Sequence, residues 1–158
     1  MPAATRLRGK ASSQLGKGRS LTFDIFFERL GDLDWLAVVV GAVIFMAVGY
    51  AWYGPLLGKQ WSAGTGIAMQ SGTPATDKLI AMFVYSFVLS GAVNYFGVLD
   101  GDIEHSLVMG ILLGVFVIGA ASYAAVVWEK QKQVVWGINT GFVFVSITIV
   151  TFVQGLMA

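Results

Sequence analysis

The stretch WLAVVVGAVIFMAVGYAWYG, Trp35–Gly54, runs for 20 residues without a charged side chain. At about 1.5 Å rise per residue, a helix of that length crosses the roughly 30 Å hydrocarbon layer of a bilayer. Three similar stretches follow, at about 79–99, 107–128 and 134–157. Lipid cannot satisfy exposed backbone N–H and C=O groups, so an open chain crosses it only as helix. The alternation of a barrel strand is absent. The expected fold class is an all-α membrane protein with four transmembrane helices.

Composition agrees. Apolar residues make up 56% of the 158 and charged residues 12%, with a mean hydropathy of +0.74. Soluble domains carry about 25% charged residues. The net charge of +1 gives no basis for nucleic-acid binding, and no nucleic-acid-binding motif occurs. Without cysteine the chain has no disulfide, thiolate metal site or thiol nucleophile.

Working outward, residues 1–20 are polar, lack Asp and Glu, and carry Arg6, Arg8, Lys10, Lys17 and Arg19. They are expected to form a disordered basic tail, with an organelle transit peptide as the alternative. Residues 21–33 place Phe23, Phe26, Phe27, Leu30 and Leu33 on one helical face and Asp24, Glu28 and Asp32 on the other, with Ser20 as a possible cap. This predicts a short amphipathic helix, lying in the membrane interface or packed on the spans. Residues 34–158 are the transmembrane domain. Its connections, Pro55–Lys78, Asp100–Ser106 and Glu129–Gln133, are short enough to make neighbours antiparallel, an up-down bundle.

Lys59, Lys78, Lys130 and Lys132 fall on one side of such a bundle. By the positive-inside rule they belong in the cytoplasm, with both termini outside; the distal basic tail argues the reverse. The expected location is a bacterial cytoplasmic membrane, or an organelle membrane if the tail is a targeting segment. Trp52, Trp61, Trp128 and Trp136 gather near the lysine-bearing side, at the level indole rings favour.

The four stretches contain no Asp, Glu, Lys, Arg or His. Proton-coupled transporters usually bury such a group as a relay, and catalysis within the bilayer would need an acid, a base or a nucleophile. The milder polar residues are Ser86, Ser90 and Asn94, one face of the second span, and Asn139, Thr140, Ser146, Thr148, Thr151 and Gln154 in the fourth. They suit interhelical hydrogen bonds; a polar intramembrane path through Ser86, Ser90, Asn94 and Asn139 is the alternative. Gly110 with Gly114, and Gly137 with Gly141, form two G-x-x-x-G patterns that let helices approach closely, within one chain or between copies. Asp100, Asp102, Glu104 and His105 crowd one loop, where oxygen ligands with one imidazole could hold a divalent cation, but the loop is short, lacks the EF-hand pattern, and reads first as solvated carboxylates, so no metal is expected. No cofactor motif occurs.

The segment Trp52-Tyr-Gly-Pro-Leu-Leu-Gly-Lys-Gln-Trp61 closes the first span. With Trp35–Ala37 opening that span, and Glu129, Lys130 and Lys132 followed by Ile138 and Asn139, it resembles the DUF1761 family, small four-helix membrane proteins of unknown function. The resemblance covers about residues 34–158 and implies a fold and a location but no activity. Physically, Pro55 should end the helix, Trp52, Tyr53 and Trp61 should anchor the turn at the interface, and Lys59 should reach lipid phosphate. The alternative is a ligand or lipid-headgroup site on the same residues. Trp52…Lys59-Gln60-Trp61 faintly echoes Trp128…Lys132-Gln133…Trp136, too thinly to support a duplication. The expected role is a structural or accessory subunit without catalysis, surrounded by lipid and assembled as a homo-oligomer or in a larger membrane complex. The competing role is a passive carrier or channel for a small neutral or apolar molecule.

Overall fold

The computed structural model describes residues 23–69, 76–98 and 103–158, all helix or connecting turn, with no strand among them. The basic tail, Leu21 and Thr22 lie outside the described residues. Helix α1, residues 23–31, belongs to a unit separate from Asp34–Ala158. Within it, Phe26 and Phe27 meet edge to face at 5.4 Å, and the rings of Phe23, Phe26 and Phe27 are exposed.

In the second unit, α2 (Trp35–Ala51) starts from Asp34, whose Oδ1 accepts the backbone N–H groups of Leu36 and Ala37, each at 3.0 Å. A carboxylate here satisfies donors that the first turn leaves free and suits the positive end of the helix dipole. Pro55 was expected to stop the helix near Gly54. Instead the helix runs on to Leu56 through one π turn, Trp52–Leu56, with Leu57 N donating to Trp52 O at 2.8 Å. Proline offers no N–H, so the ladder widens by one residue rather than breaking.

A short helix that the sequence reading took for loop follows, α3 (Gly58–Thr65). It ends at Gly66, whose φ of 76° is left-handed backbone open to glycine, with Gly66 N donating to Ser62 O at 2.8 Å. Next come α4 (Thr76–Val93), continued by a π turn at Asn94–Val98, and α5 (Ile103–Ile111). A π segment, Leu112–Gly119, carries α5 into α6 (Ala120–Trp128), and α7 (Gln133–Met157) is the longest helix. The third long helix thus begins at Ile103 rather than near Leu107, with Glu104 in its first turn, where the dipole favours an acid.

Trp35–Leu56, Thr76–Phe96, Ile103–Trp128 and Gln133–Met157 are long and apolar enough to cross a membrane. Helix α7 is the hub: 39% of its most apolar window is buried, against 17% for the third helix. It meets α2, α3, α4, α5 and α6, while α4 packs chiefly on α2. Phe45, Val93, Phe142, Val143, Ile147 and Val150 form the centre, with Trp52 and Tyr53 packed against it. Gly41 near the start of α2 meets Ser90 and Gln154 near the ends of α4 and α7, and Gly155 near the end of α7 meets Ile103 at the start of α5.

Candidate functional site

The polar groups of this unit fall into two clusters. The first is built by the segment after α2. The π turn carries Trp52 and Tyr53 round toward α7, and Gly58 starts α3 immediately behind them. A Cβ on Gly58 would collide with the Tyr53 carbonyl, so this reversal needs the missing side chain. Trp52 Nε1 donates to the Ile138 carbonyl at 3.0 Å. Its ring lies over Gly141, which leaves the space the indole fills. Tyr53 Oη and Trp61 Nε1 both donate to Asn139 Oδ1, at 3.0 and 3.2 Å. An indole N–H only donates, which fixes the amide with its oxygen toward the aromatics. The Tyr53 ring also meets Trp61 edge to face at 5.8 Å and Phe142 at 5.2 Å.

Three aromatic donors from the π turn after α2 and from α3 therefore converge on one turn of α7. Pro55 and Lys59 do not join them: both side chains are exposed. Asn139 was grouped from sequence with Ser86, Ser90 and Asn94. Its hydrogen bonds instead run to the aromatic segment, because it lies near the opposite end of α7 from the residue that meets Ser90, Gln154.

That second cluster is buried. Ser90 Oγ donates to the Val38 carbonyl at 2.7 Å, while Gln154 Nε2 donates to the Ala37 carbonyl at 3.0 Å and to Ser90 Oγ at 2.9 Å. Ser90 and Gln154 have no exposure at all. The residue allowing this approach is Gly41, where a Cβ would overlap Ser90 Oγ and come within 2.8 Å of Gln154 Nε2. Asn94 is buried nearby in sequence, its Oδ1 accepting the Asp34 N–H at 3.2 Å. Ser86 is buried on the same helix. Asn94 Nδ2, Ser146 Oγ, Thr151 Oγ1, Thr140 Oγ1 and Gln154 Oε1 are buried without a partner among the described residues.

Both glycines of the first G-x-x-x-G serve packing inside the chain. Gly110 faces Thr151 and Ile147 of α7, and Gly114 faces Ile147. The second pattern divides: Gly141 receives Trp52, and Gly137 faces open space. Of the acidic loop, Glu104 and His105 lie in the first turn of α5, while Asp100 and Asp102 are outside the described residues. No group of three His, Asp or Glu side chains gathers among the described residues.

Sequence reasoning did not single out Gly41 or the Ile138 carbonyl, and it named Gln154 only as one of the polar residues of the fourth span. Gln154 carried a signal, a long amide near the end of an apolar span; the Ile138 carbonyl is a backbone atom and carried none. Trp136 also gained a role: its Nε1 donates to the Gly119 carbonyl at 3.0 Å, at the end of the π segment.

Chemically, these clusters hold helices together. Each offers neutral donors and acceptors whose hydrogen bonds run from one helix to another, and neither contains an ionisable acid or base of the kind that moves protons near pH 7. No curated protein and no solved structure matches this chain. A family model, described as "Protein of unknown function (DUF1761)", matches residues 36–155 and so takes in α2 through nearly all of α7, both clusters included; the chain belongs to the DUF1761 family.

Proposed function

We propose that the chain is an integral membrane protein whose four long helices form an up-down bundle, and that it serves as a structural or accessory membrane component without catalysis. The observation that carries this reading is the use made of the Trp52–Trp61 segment. Its three aromatic donors are all engaged by α7, at Ile138 and Asn139, so the segment that carries the family resemblance clamps the end of the first long helix and α3 onto α7. Burial of Gly41, Ser90 and Gln154 at the other end of α2 supports the same reading, as does the lack of Asp, Glu, Lys, Arg and His in residues 35–54, 79–99, 107–128 and 134–157.

Helix α1, with exposed phenylalanines, suits the membrane interface. The lysine-bearing turns suit the cytoplasmic side, with both termini outside. Lipid covers the apolar surface, and as an accessory component the chain assembles into a larger membrane complex; a homo-oligomer is the alternative. Native mass spectrometry of the tagged protein, extracted gently from its own membrane, tests the role. Stoichiometric foreign subunits are the expected result; a pure homo-oligomer would overturn the accessory role.

A second reading, a passive path for a small neutral molecule, draws on the unpartnered Asn94, Ser146, Thr151 and Gln154 atoms. If they line water, cysteines introduced at Ser146 and Thr151 react with aqueous thiol reagents. Unreactive cysteines there would reject the path.

A further inference from the structure

The turn between α6 and α7 lies against the end of α3, and between them is an open recess of about 350 Å³, lined by Thr65, Glu129, Lys130, Gln131 and Lys132, with Val135 at its base. That volume is at the small end of the range for ligand sites, about 300–1,000 Å³. Lys132 Nζ donates to the Ala63 carbonyl at 3.3 Å, which ties the side chain across the recess and leaves two of its three N–H donors. Lys130 sits at the apex of the turn with φ of 55°, an uncommon conformation for a residue with a side chain. Glu129 makes no ion pair with either lysine among the described residues, so both signs of charge face the recess without neutralising each other. The first turn of α7 has no acidic residue and no capping side chain, which adds to the positive potential on the lysine side.

The borders of the recess are apolar. Val127, Trp128 and Val134 are exposed beside it, Trp128 at 83%. A recess carrying separate cations and one carboxylate, opening onto exposed apolar side chains, matches an amphiphile with a zwitterionic head. We propose that it binds one phospholipid through its headgroup: Lys130 and Lys132 take the phosphodiester, Glu129 takes a primary ammonium, and an acyl chain lies along Val127 and Trp128. The carboxylate selects phosphatidylethanolamine. Phosphatidylcholine offers no N–H to Glu129, and phosphatidylglycerol offers no positive charge.

This inference rests on the membrane reading above. That reading fails separately, if the protein is released from membranes by alkaline carbonate without detergent. The test uses the full chain in nanodiscs of equal parts phosphatidylethanolamine, phosphatidylcholine and phosphatidylglycerol, followed by native mass spectrometry of lipid retained after detergent transfer. The wild type is expected to keep one phosphatidylethanolamine about tenfold over phosphatidylcholine, the worth of one charge-assisted hydrogen bond. E129Q should lose that preference yet keep a phospholipid, and the K130Q/K132Q double variant should lose the bound lipid. All three side chains are exposed, so unchanged melting of the variants checks their fold. Equal retention of the three lipids by wild type and variants overturns the proposal. Displacement by soluble phosphoethanolamine as readily as by the lipid overturns the lipid source and assigns the site to a soluble phosphoester.

Discussion

Asn139 shows how much one neutral side chain can organise. Its oxygen takes two aromatic donors from elements 78 and 86 residues away in sequence. Replacing it with Leu strands both donors, Tyr53 Oη and Trp61 Nε1. A loss of about 1–3 kcal/mol is expected for Asn139→Leu in reversible denaturation in detergent. Tyr53→Phe removes one donor and keeps the ring, so it should cost less, about 0.6 kcal/mol, the average for a hydrogen bond between membrane helices. Two glycines make a second comparison. Gly41→Ala forces a methyl into Ser90 and Gln154 and should destabilise by about 1–3 kcal/mol. Gly137→Ala meets nothing within 4 Å and should be neutral or slightly stabilising. Equal melting temperatures for the two variants would contradict the packing described.

At the scale of elements, the apolar runs told most. Four helices could be read because length and absence of charge are sufficient in lipid, and five of their eight ends moved, each by only a few residues. Pro55 illustrates the remaining difficulty. A proline removes one hydrogen bond, but whether the chain then breaks or widens into a π turn depends on what Trp52, Tyr53 and Trp61 find on α7. Helix α3 was missed for a related reason: GKQWSAGT has little apolar character, and its helix is fixed by Gly58, Gly66 and the docking of Trp61 rather than by periodicity. The candidate site was half legible. Trp52, Tyr53 and Trp61 stood out as a group, but their partner Asn139 was assigned to a different face, since spacing along one helix does not say which neighbour lies opposite.

The turn after α6 carries a prediction of its own. Lys130 holds a left-handed conformation there, with Glu129 N and Gln131 N both donating to the Ala125 carbonyl at 3.1 Å. Such a conformation costs a residue with a side chain roughly 1–2 kcal/mol, and glycine relieves it at an entropic cost of about 0.5–1 kcal/mol. Lys130→Gly is therefore expected to raise stability by about 0.5–1 kcal/mol in a detergent melt. A lowered melting temperature would show that the turn is held differently.

For the whole molecule, the two polar clusters lie toward opposite ends of α2 and use the same partner, α7. Between them the interior is apolar, with Phe45, Phe142, Ile147 and Val150 in contact. Membrane helices gain little from apolar burial against one another, because lipid is equally apolar, so close backbone approach and hydrogen bonds decide which helices pair. Gly41, Gly110 and Gly141 supply the first, and Ser90, Gln154, Asn139 and Trp52 the second. The central claim is that the segment after the first long helix is clamped onto the start of α7. A chain without cysteine permits a direct test in native membranes. A Cβ on Gly64 would lie 3.8 Å from Val135 Cβ, and one on Gly155 would lie 3.9 Å from Ile103 Cβ, both within the separation a disulfide spans. Gly64→Cys/Val135→Cys is expected to oxidise to an intramolecular disulfide, with Ile103→Cys/Gly155→Cys as the reference pair at the far end of α7. A disulfide in the reference pair but none between positions 64 and 135 would contradict the clamp.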